Sequence, residues 1–218
     1  MRYPGVLIEK RRKKSIYTRN LVPGRTVYGE RLVKIKGIEY REWNPQRSKL
    51  GAAIMKSIPT TGIKEDSIIL YLGAASGTTV SHVSDIAKNG FIFALDFAPR
   101  VVRDLVFISE ERKNIAPILG DANHPETYEH RVTKVDMIFQ DIAQKNQTEI
   151  FMKNVNRFLN KDGIAIYAVK ARSIDVTKKP RIVFNTVKRE LEKEMKILDF
   201  KTLEPFEKDH CVFVCQKR

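Results

Sequence analysis

The chain has 218 residues and a mass of 25.1 kDa, which suits one α/β domain with a small appendage and is too short for two full domains. Apolar residues make up 42% and charged residues 30%, which excludes a disordered chain, and no stretch approaches the ~20 apolar residues of a membrane span. The formal charge of +14 is local: residues 1–56 carry 15 Lys/Arg against 4 Asp/Glu, whereas residues 57–218 carry 25 against 22.

An RNA or DNA partner would exploit such a field through steering and counterion release. A solvated, solubilising face explains it about as well. The run Lys10 to Lys14 (KRRKK) tips the reading towards nucleic acid, because five adjacent cations repel one another. The opening MRYPGVLIEKRRKK lacks the apolar run of a signal peptide, so a cytoplasmic, reducing location is expected. Cys211 and Cys215 are the only cysteines. Four apart on one strand, their Cα atoms would be roughly 13 Å apart, too far for a disulfide.

In chain order, short strands are expected at Val6-Leu7-Ile8, Ser15-Ile16-Tyr17, Arg31 to Ile35 and Ile38 to Trp43, the last two flanking a Lys36-Gly37 turn. Together with a helix from Arg47 to Ser57, carrying Leu50, Ile54 and Ile58 on one face, they make residues 1–55 a small N-terminal β domain. From Ser67 the pattern becomes βα alternation. Strands are predicted at Ile68–Leu72, Phe91–Asp96, Ile115–Leu119, Val135–Gln140 and Gly163–Lys170, and helices at Thr79–Lys88, Pro99–Glu111, Thr148–Leu159 and Arg181–Leu198. The end breaks this rhythm, with strands at Ile197–Leu203 and His210–Gln216 around Pro205. Residues 56–218 are therefore expected to form a mostly parallel, doubly wound sheet with a C-terminal antiparallel hairpin. That is the usual layout of Rossmann-like class I methyltransferases. Trp43 is expected in the core.

Between the first strand of this sheet and its helix lies Gly73-Ala74-Ala75-Ser76-Gly77-Thr78-Thr79, small residues that let a ligand approach backbone closely. The dinucleotide fingerprint is broken, with Ala75 for its second glycine and Thr78 for its third, and no Gly-Lys-Ser/Thr follows to make a P-loop. A tight strand-to-helix turn would explain the loop alone. An acid follows each next strand, however. Asp96, 23 residues after Gly73, can accept from both hydroxyls of an adenosine ribose. Asp121 is placed to receive an adenine amine, and Asp141 lies near where a methyl donor's sulfonium or amino acid moiety would sit. This suits S-adenosylmethionine, a cationic ligand, better than NAD. His82, His124 and His130 show no ligand spacing with one another or with the cysteines, so no metal is expected.

The chain resembles fibrillarin, specifically the short archaeal fibrillarin-like proteins. The resemblance covers nearly the whole length and is carried by Arg47-Ser48-Lys49-Leu50, Tyr71 to His82, Gly120-Asp121-Ala122, Asp141-Ile142-Ala143-Gln144, Val169-Lys170-Ala171-Arg172-Ser173 and Asp209-His210. It implies methyl transfer from S-adenosylmethionine to ribose 2′-hydroxyls of rRNA and tRNA. The setting it implies is a box C/D guide RNA ribonucleoprotein with a Nop-domain scaffold and a kink-turn-binding ribosomal-type protein. The catalytic set it implies is Lys49, Asp141, Lys170 and His210. Lys170 would touch the 2′-oxygen, since a lysine held among cations loses its proton more easily, and Asp141 would hold that lysine. Lys49 and His210 would complete the hydrogen bonds around the ribose. The implied cofactor set is Gly73, Ala74, Ser76, Gly77, Thr78, Thr79, Asp96, Phe97, Asp121, Ala122, Asp141 and Gln144. Asp96 stands where the family more often has Glu. A basic run replaces the Gly/Arg-rich leader of eukaryotic members, which implies the archaeal type without nucleolar targeting.

Two other readings remain open. A non-enzymatic RNA-binding subunit would explain the basic N-terminal part but not the full Lys49, Asp141, Lys170, His210 set. A small-molecule methyltransferase would need the cofactor acids but not the local charge. Arg100, Arg103, Arg172 and Arg181 are candidates for RNA phosphate contacts or plain surface solvation.

Overall fold

The computed structural model describes residues 3–10 and 14–218, so Arg11, Arg12 and Lys13 of the basic run lie outside the described residues. Four short strands come first: β1 (Val6–Lys10), β2 (Lys14–Arg19), β3 (Leu32–Ile35) and β4 (Ile38–Glu42). They pair antiparallel in the order β1-β2-β4-β3. The β3–β4 turn has positive φ at both Lys36 (49°) and Gly37 (78°), the twist a two-residue hairpin requires.

The helix expected from Arg47 is shorter, α1 (Lys49–Met55). Ser48 is extended (φ −155°) and caps the helix, its Oγ accepting from the Gly51 N–H at 3.1 Å. This fixes where helical geometry can start.

The larger sheet is built from β5 (Ile68–Leu72), α2 (Thr78–Ile86), β6 (Phe91–Asp96), α3 (Pro99–Glu111), β7 (Ile115–Leu119), β8 (Val135–Gln140), α4 (Gln147–Phe158) and β9 (Leu159–Lys170). A short α5 (Ala171–Ile174), α6 (Pro180–Leu191), β10 (Met195–Thr202) and β11 (His210–Lys217) complete it. Strand order is β10-β11-β9-β8-β5-β6-β7, with β5 to β9 parallel and β11 running antiparallel to both its neighbours. The expected sheet class is thus observed. The last predicted helix is not: it stops at Leu191, and Met195, read as its continuation, pairs with Lys217 on β11, while Ile197, where the predicted helix and strand overlapped, pairs with Cys215. Ladder hydrogen bonds to a neighbouring strand outweigh a helical period that also fits a short apolar run. Strand β9 also starts earlier than Gly163.

Each face of this sheet carries its own apolar layer. On one, Leu50 and Ile54 of α1 and Val80 and Val83 of α2 pack together with Tyr3, Ile16 and Trp43 of the N-terminal part. On the other, Phe151 and Val155 of α4 meet Val183 and Phe184 of α6. Trp43 is buried, as expected. Cys211 and Cys215 are buried free thiols on β11, and burial pushes the Cys215 thiol up to about 12.

The N-terminal sheet is fastened to α2 by buried polar groups. Arg41 of β4 pairs with Glu30 and, through Nε, with Asp85 Oδ2 at 2.9 Å, while Arg112 Nη1 meets Asp85 Oδ1 at 2.6 Å. His82 stacks on Trp43, ring centroids 4.7 Å apart, with Nδ1 2.7 Å from Thr18 Oγ1 and Nε2 2.7 Å from the Tyr28 hydroxyl. Thr18 donates its single proton to Asp85, so it accepts from His82 Nδ1–H. Burial, then the guanidinium groups of Arg41 and Arg112, hold His82 well below the usual histidine range, so the ring is neutral, and the one proton of the Tyr28 hydroxyl faces both His82 Nε2 (2.7 Å) and the Glu42 carbonyl (3.0 Å).

Candidate active site

The parallel strands turn their C-terminal ends to one edge, and β5 lies where the order reverses between β6 and β8. Such switch points are where open α/β sheets bind ligands. A cleft of about 320 Å³ lies there, lined by Gly73, Ala75, Leu95, Asp96, Phe97, Gly120, Asp121, Ala122 and Asp141 to Gln144.

Its floor depends on Gly73. With φ at 82°, a Cβ there would lie 2.2 Å from the Asp141 carbonyl oxygen, so only glycine lets the two loops touch. The next turn is held by Asp96, whose Oδ2 accepts from Ala75 N–H at 2.9 Å and Oδ1 from Ala98 N–H at 3.0 Å. This supports the left-handed φ of 47° at Ala75, a conformation that costs a residue with a Cβ. Each carboxylate oxygen keeps a second lone pair for a ligand hydroxyl. Asp121 accepts from Asn123 N–H through Oδ1 at 2.8 Å. Phe97, 66% exposed, stands at the lip.

Of the expected cofactor residues, Gly73, Asp96, Phe97, Asp121, Ala122, Asp141 and Gln144 line this cleft, and Ala74, Ser76, Gly77, Thr78 and Thr79 do not. A Cβ at Gly77 would press on Ile108 and Leu105 of α3. Thr79 Oγ1 instead donates to Ser48 Oγ at 2.9 Å.

Asp141 differs from expectation in its partner. Its carboxylate pairs with Lys49 at the start of α1, and among the described residues it makes no ion pair with Lys170. The fold brings Lys49 there because α1 packs on the sheet face carrying Tyr71 and Phe139, beside the loop after β8; Lys170 is held through its backbone. Gln147, fully buried, accepts from Lys170 N–H (3.3 Å) and donates from Nε2 to the Lys170 carbonyl (3.4 Å) and to the Gln144 carbonyl (2.8 Å). The loop from Asp141 to Gln147 therefore contacts Lys49, lines the cleft and anchors Lys170. Sequence reasoning missed Gln147, because nothing in its local pattern marks a helix-start glutamine as a clamp.

Lys170 and His210 are direct partners in the antiparallel β9–β11 register, which puts both side chains on one face of the sheet. His210 Nδ1 lies 2.6 Å from the Lys208 carbonyl oxygen. A carbonyl only accepts, so Nδ1 carries the proton and a neutral ring presents Nε2 as an acceptor. Of the arginines considered for RNA, Arg172 is tied to Asp209 at 3.0 Å and to the Val176 carbonyl, and Arg100 and Arg103 are exposed on α3. Among the described residues no group of His, Cys, Asp or Glu is arranged to hold a metal ion.

A mostly parallel seven-stranded sheet with an antiparallel β11, and a cleft rimmed by acids after β6, β7 and β8, defines the fold of the Rossmann-like class I methyltransferases. Within that class the chain belongs to the fibrillarin family, whose family model matches residues 1–218. It is 53% identical to the fibrillarin-like rRNA/tRNA 2′-O-methyltransferase of Thermococcus gammatolerans, over 99% of this chain and 97% of that relative. Its structure is similar to that of Aeropyrum pernix fibrillarin with natively bound S-adenosyl-L-methionine (TM-score 0.90, 46% identity, 98% of this chain and 95% of that one). A fibrillarin in complex with Nop5p is equally similar in shape (TM-score 0.90, 40% identity, 99% of both chains).

Proposed function

We propose that this chain is an S-adenosylmethionine-dependent methyltransferase acting on ribose 2′-hydroxyls of rRNA and tRNA, as the catalytic subunit of a box C/D guide ribonucleoprotein. The observation that carries the reading is the Lys49–Asp141 ion pair beside a cleft that offers Asp96 and Asp121 to a cationic nucleoside. The residues fit that cofactor: Gly73 lets the loops after β5 and β8 meet to form the cleft floor, and the two acids are acceptors for ribose and adenine. When bound it supplies an activated methyl group on sulfonium sulfur.

The remaining task is orientation and proton removal. Lys170, at the end of β9, meets the 2′-hydroxyl and helps it lose its proton as the methyl group passes from sulfur to oxygen. Asp141 orients Lys49, which faces the target ribose and its phosphate. His210 offers Nε2 as an acceptor on the same sheet face as Lys170. In this reading residues 1–55 form the small β domain and 56–218 the methyltransferase domain.

Positive charge concentrated in residues 1–56 draws an RNA backbone but offers no evident device for reading sequence, so target choice falls to a guide RNA. The partners are then that guide, its rRNA or tRNA substrate, a Nop-domain scaffold and a kink-turn-binding protein. Among the described residues no helix is long and apolar enough to cross a membrane, and the working location is the cytoplasm. Incubation with labelled S-adenosylmethionine and RNA, with and without the guide complex, tests the reading. A 2′-O-methyl mark at the guided nucleotide is expected only with the complex, and efficient site-selective methylation by the isolated chain would refute the dependence.

A further inference from the structure

Thr79 belongs by position to the loop that meets the cofactor, yet its hydroxyl serves another element. It donates to Ser48 Oγ at 2.9 Å. Thr79 lies in the first turn of α2, directly after the cofactor loop. Ser48 is the cap of α1, where the same Oγ accepts from Gly51 N–H. Lys49 is the next residue, the first of a helix only seven residues long. Such a helix is marginal alone and takes its position from what it docks against. A lysine has four side-chain torsions, so its ammonium is placed by its Cα at one end and, here, by Asp141 at the other.

We propose that Thr79 is a positioning residue: through Ser48 it registers Lys49 against the helix that springs from the cofactor loop. The inference rests on the reading of Lys49 as a residue of the reacting site. It reassigns Thr79 from holding the cofactor to aligning the lysine beside it.

The test uses the assembled guide complex. Thr79→Val removes the hydroxyl at nearly constant volume, Thr79→Ser keeps it, and Ser48→Ala breaks the same bond from the other side. Single-turnover methylation at saturating S-adenosylmethionine is measured alongside cofactor affinity by calorimetry. Thr79→Val and Ser48→Ala should each slow the step by about 10–100-fold, the scale of a misplaced group. Cofactor Kd should stay within about twofold, and Thr79→Ser should restore most of the rate. In a Lys49→Ala background, Thr79→Val should add little. A Kd that rises with the rate loss, with saturation restoring the rate, would make Thr79 a cofactor contact and overturn the inference. So would an undiminished effect of Thr79→Val in the Lys49→Ala background. If Thr79→Val does not fold, Thr79→Ala carries the same comparison, since Ser48→Ala also removes the α1 cap. A Lys49→Ala enzyme with normal single-turnover rate would instead overturn the site reading itself, an outcome distinct from a Thr79 effect that is absent while Lys49 matters.

Discussion

Lys49 and Asp141, 92 positions apart, meet in a two-point ion pair, the ammonium lying 2.9 Å from Oδ1 and 3.0 Å from Oδ2. Both side chains are partly exposed, 20% and 25%, so water screens the pair and its worth to stability is small. Its value is geometric. It ties the helix after the N-terminal sheet to the loop that follows β8, at the rim of the cleft.

Because the two residues act as one unit, their substitutions should not add. Lys49→Ala and Asp141→Asn should each slow single-turnover methylation by about 10²-fold or more, and the double variant should be little slower than the worse single one. Asp141 also lines the cleft, so its replacement should weaken cofactor binding where Lys49→Ala does not. Rates that multiply in the double variant would show that the two work separately.

Lys170→Ala should abolish methyl transfer while leaving S-adenosylmethionine affinity and complex assembly nearly unchanged. Gln147→Ala removes the clamp on the Lys170 backbone without touching its ammonium. It should therefore lower the rate by about 10-fold or more with a small change in cofactor Kd, the pattern of lost orientation. Near-normal single-turnover methylation by Lys170→Ala in the assembled complex would end the assignment.

Asp96→Ala should weaken S-adenosylmethionine binding by roughly 1–3 kcal/mol through lost charge-assisted hydrogen bonds. Asp96→Asn keeps the size but exchanges an acceptor for a donor, and should behave similarly because Ala75 and Ala98 N–H both need acceptors. Gly73→Ala should be worse than either, since its Cβ would meet the Asp141 carbonyl. Calorimetry on the folded variants ranks the three, and an unchanged Kd for Asp96→Ala would remove that residue from the site.

His82 predicts a pH dependence of stability. Its folded pKa is depressed by burial and by Arg41 and Arg112, so the unfolded chain takes up the proton first as pH falls below the ordinary value of about 6.5. The contribution is complete above that value and is lost as pH falls towards the folded pKa, at up to about 1.4 kcal/mol per pH unit. Denaturant titrations at pH 7.5 and 5.5 should show a smaller drop for His82→Gln than for the parent chain. Equal drops would mean that other groups carry the slope.

Asp85 holds two guanidinium groups in the same buried cluster, and Asp85→Ala should destabilise the fold by about 3–5 kcal/mol by leaving Arg41 and Arg112 short of charge. Equilibrium unfolding measures this directly, and a loss under 1 kcal/mol would mean that water reaches the cluster.

What the sequence by itself determined is what short-range pattern encodes. Alternating apolar runs located β5, β6, β7 and β8, the small residues after Leu72 marked the loop, and the spacing of Asp96, Asp121 and Asp141 put three acids on one edge, because parallel strands must all end there. The end of α6 escaped, since Met195 and Ile197 fit either a helix face or a strand until β11 lies beside them. Only the tertiary structure decided the partners. Whether Asp141 takes Lys49 or Lys170, that Thr79 donates to Ser48, and that Gln147 grips Lys170 depend on which backbone segments are brought within about 3 Å, the reach of a hydrogen bond. His82 and Asp85 read as ordinary helix residues until β2 and β4 close over them, because a buried charge is recognised by what surrounds it and the sequence does not list those neighbours.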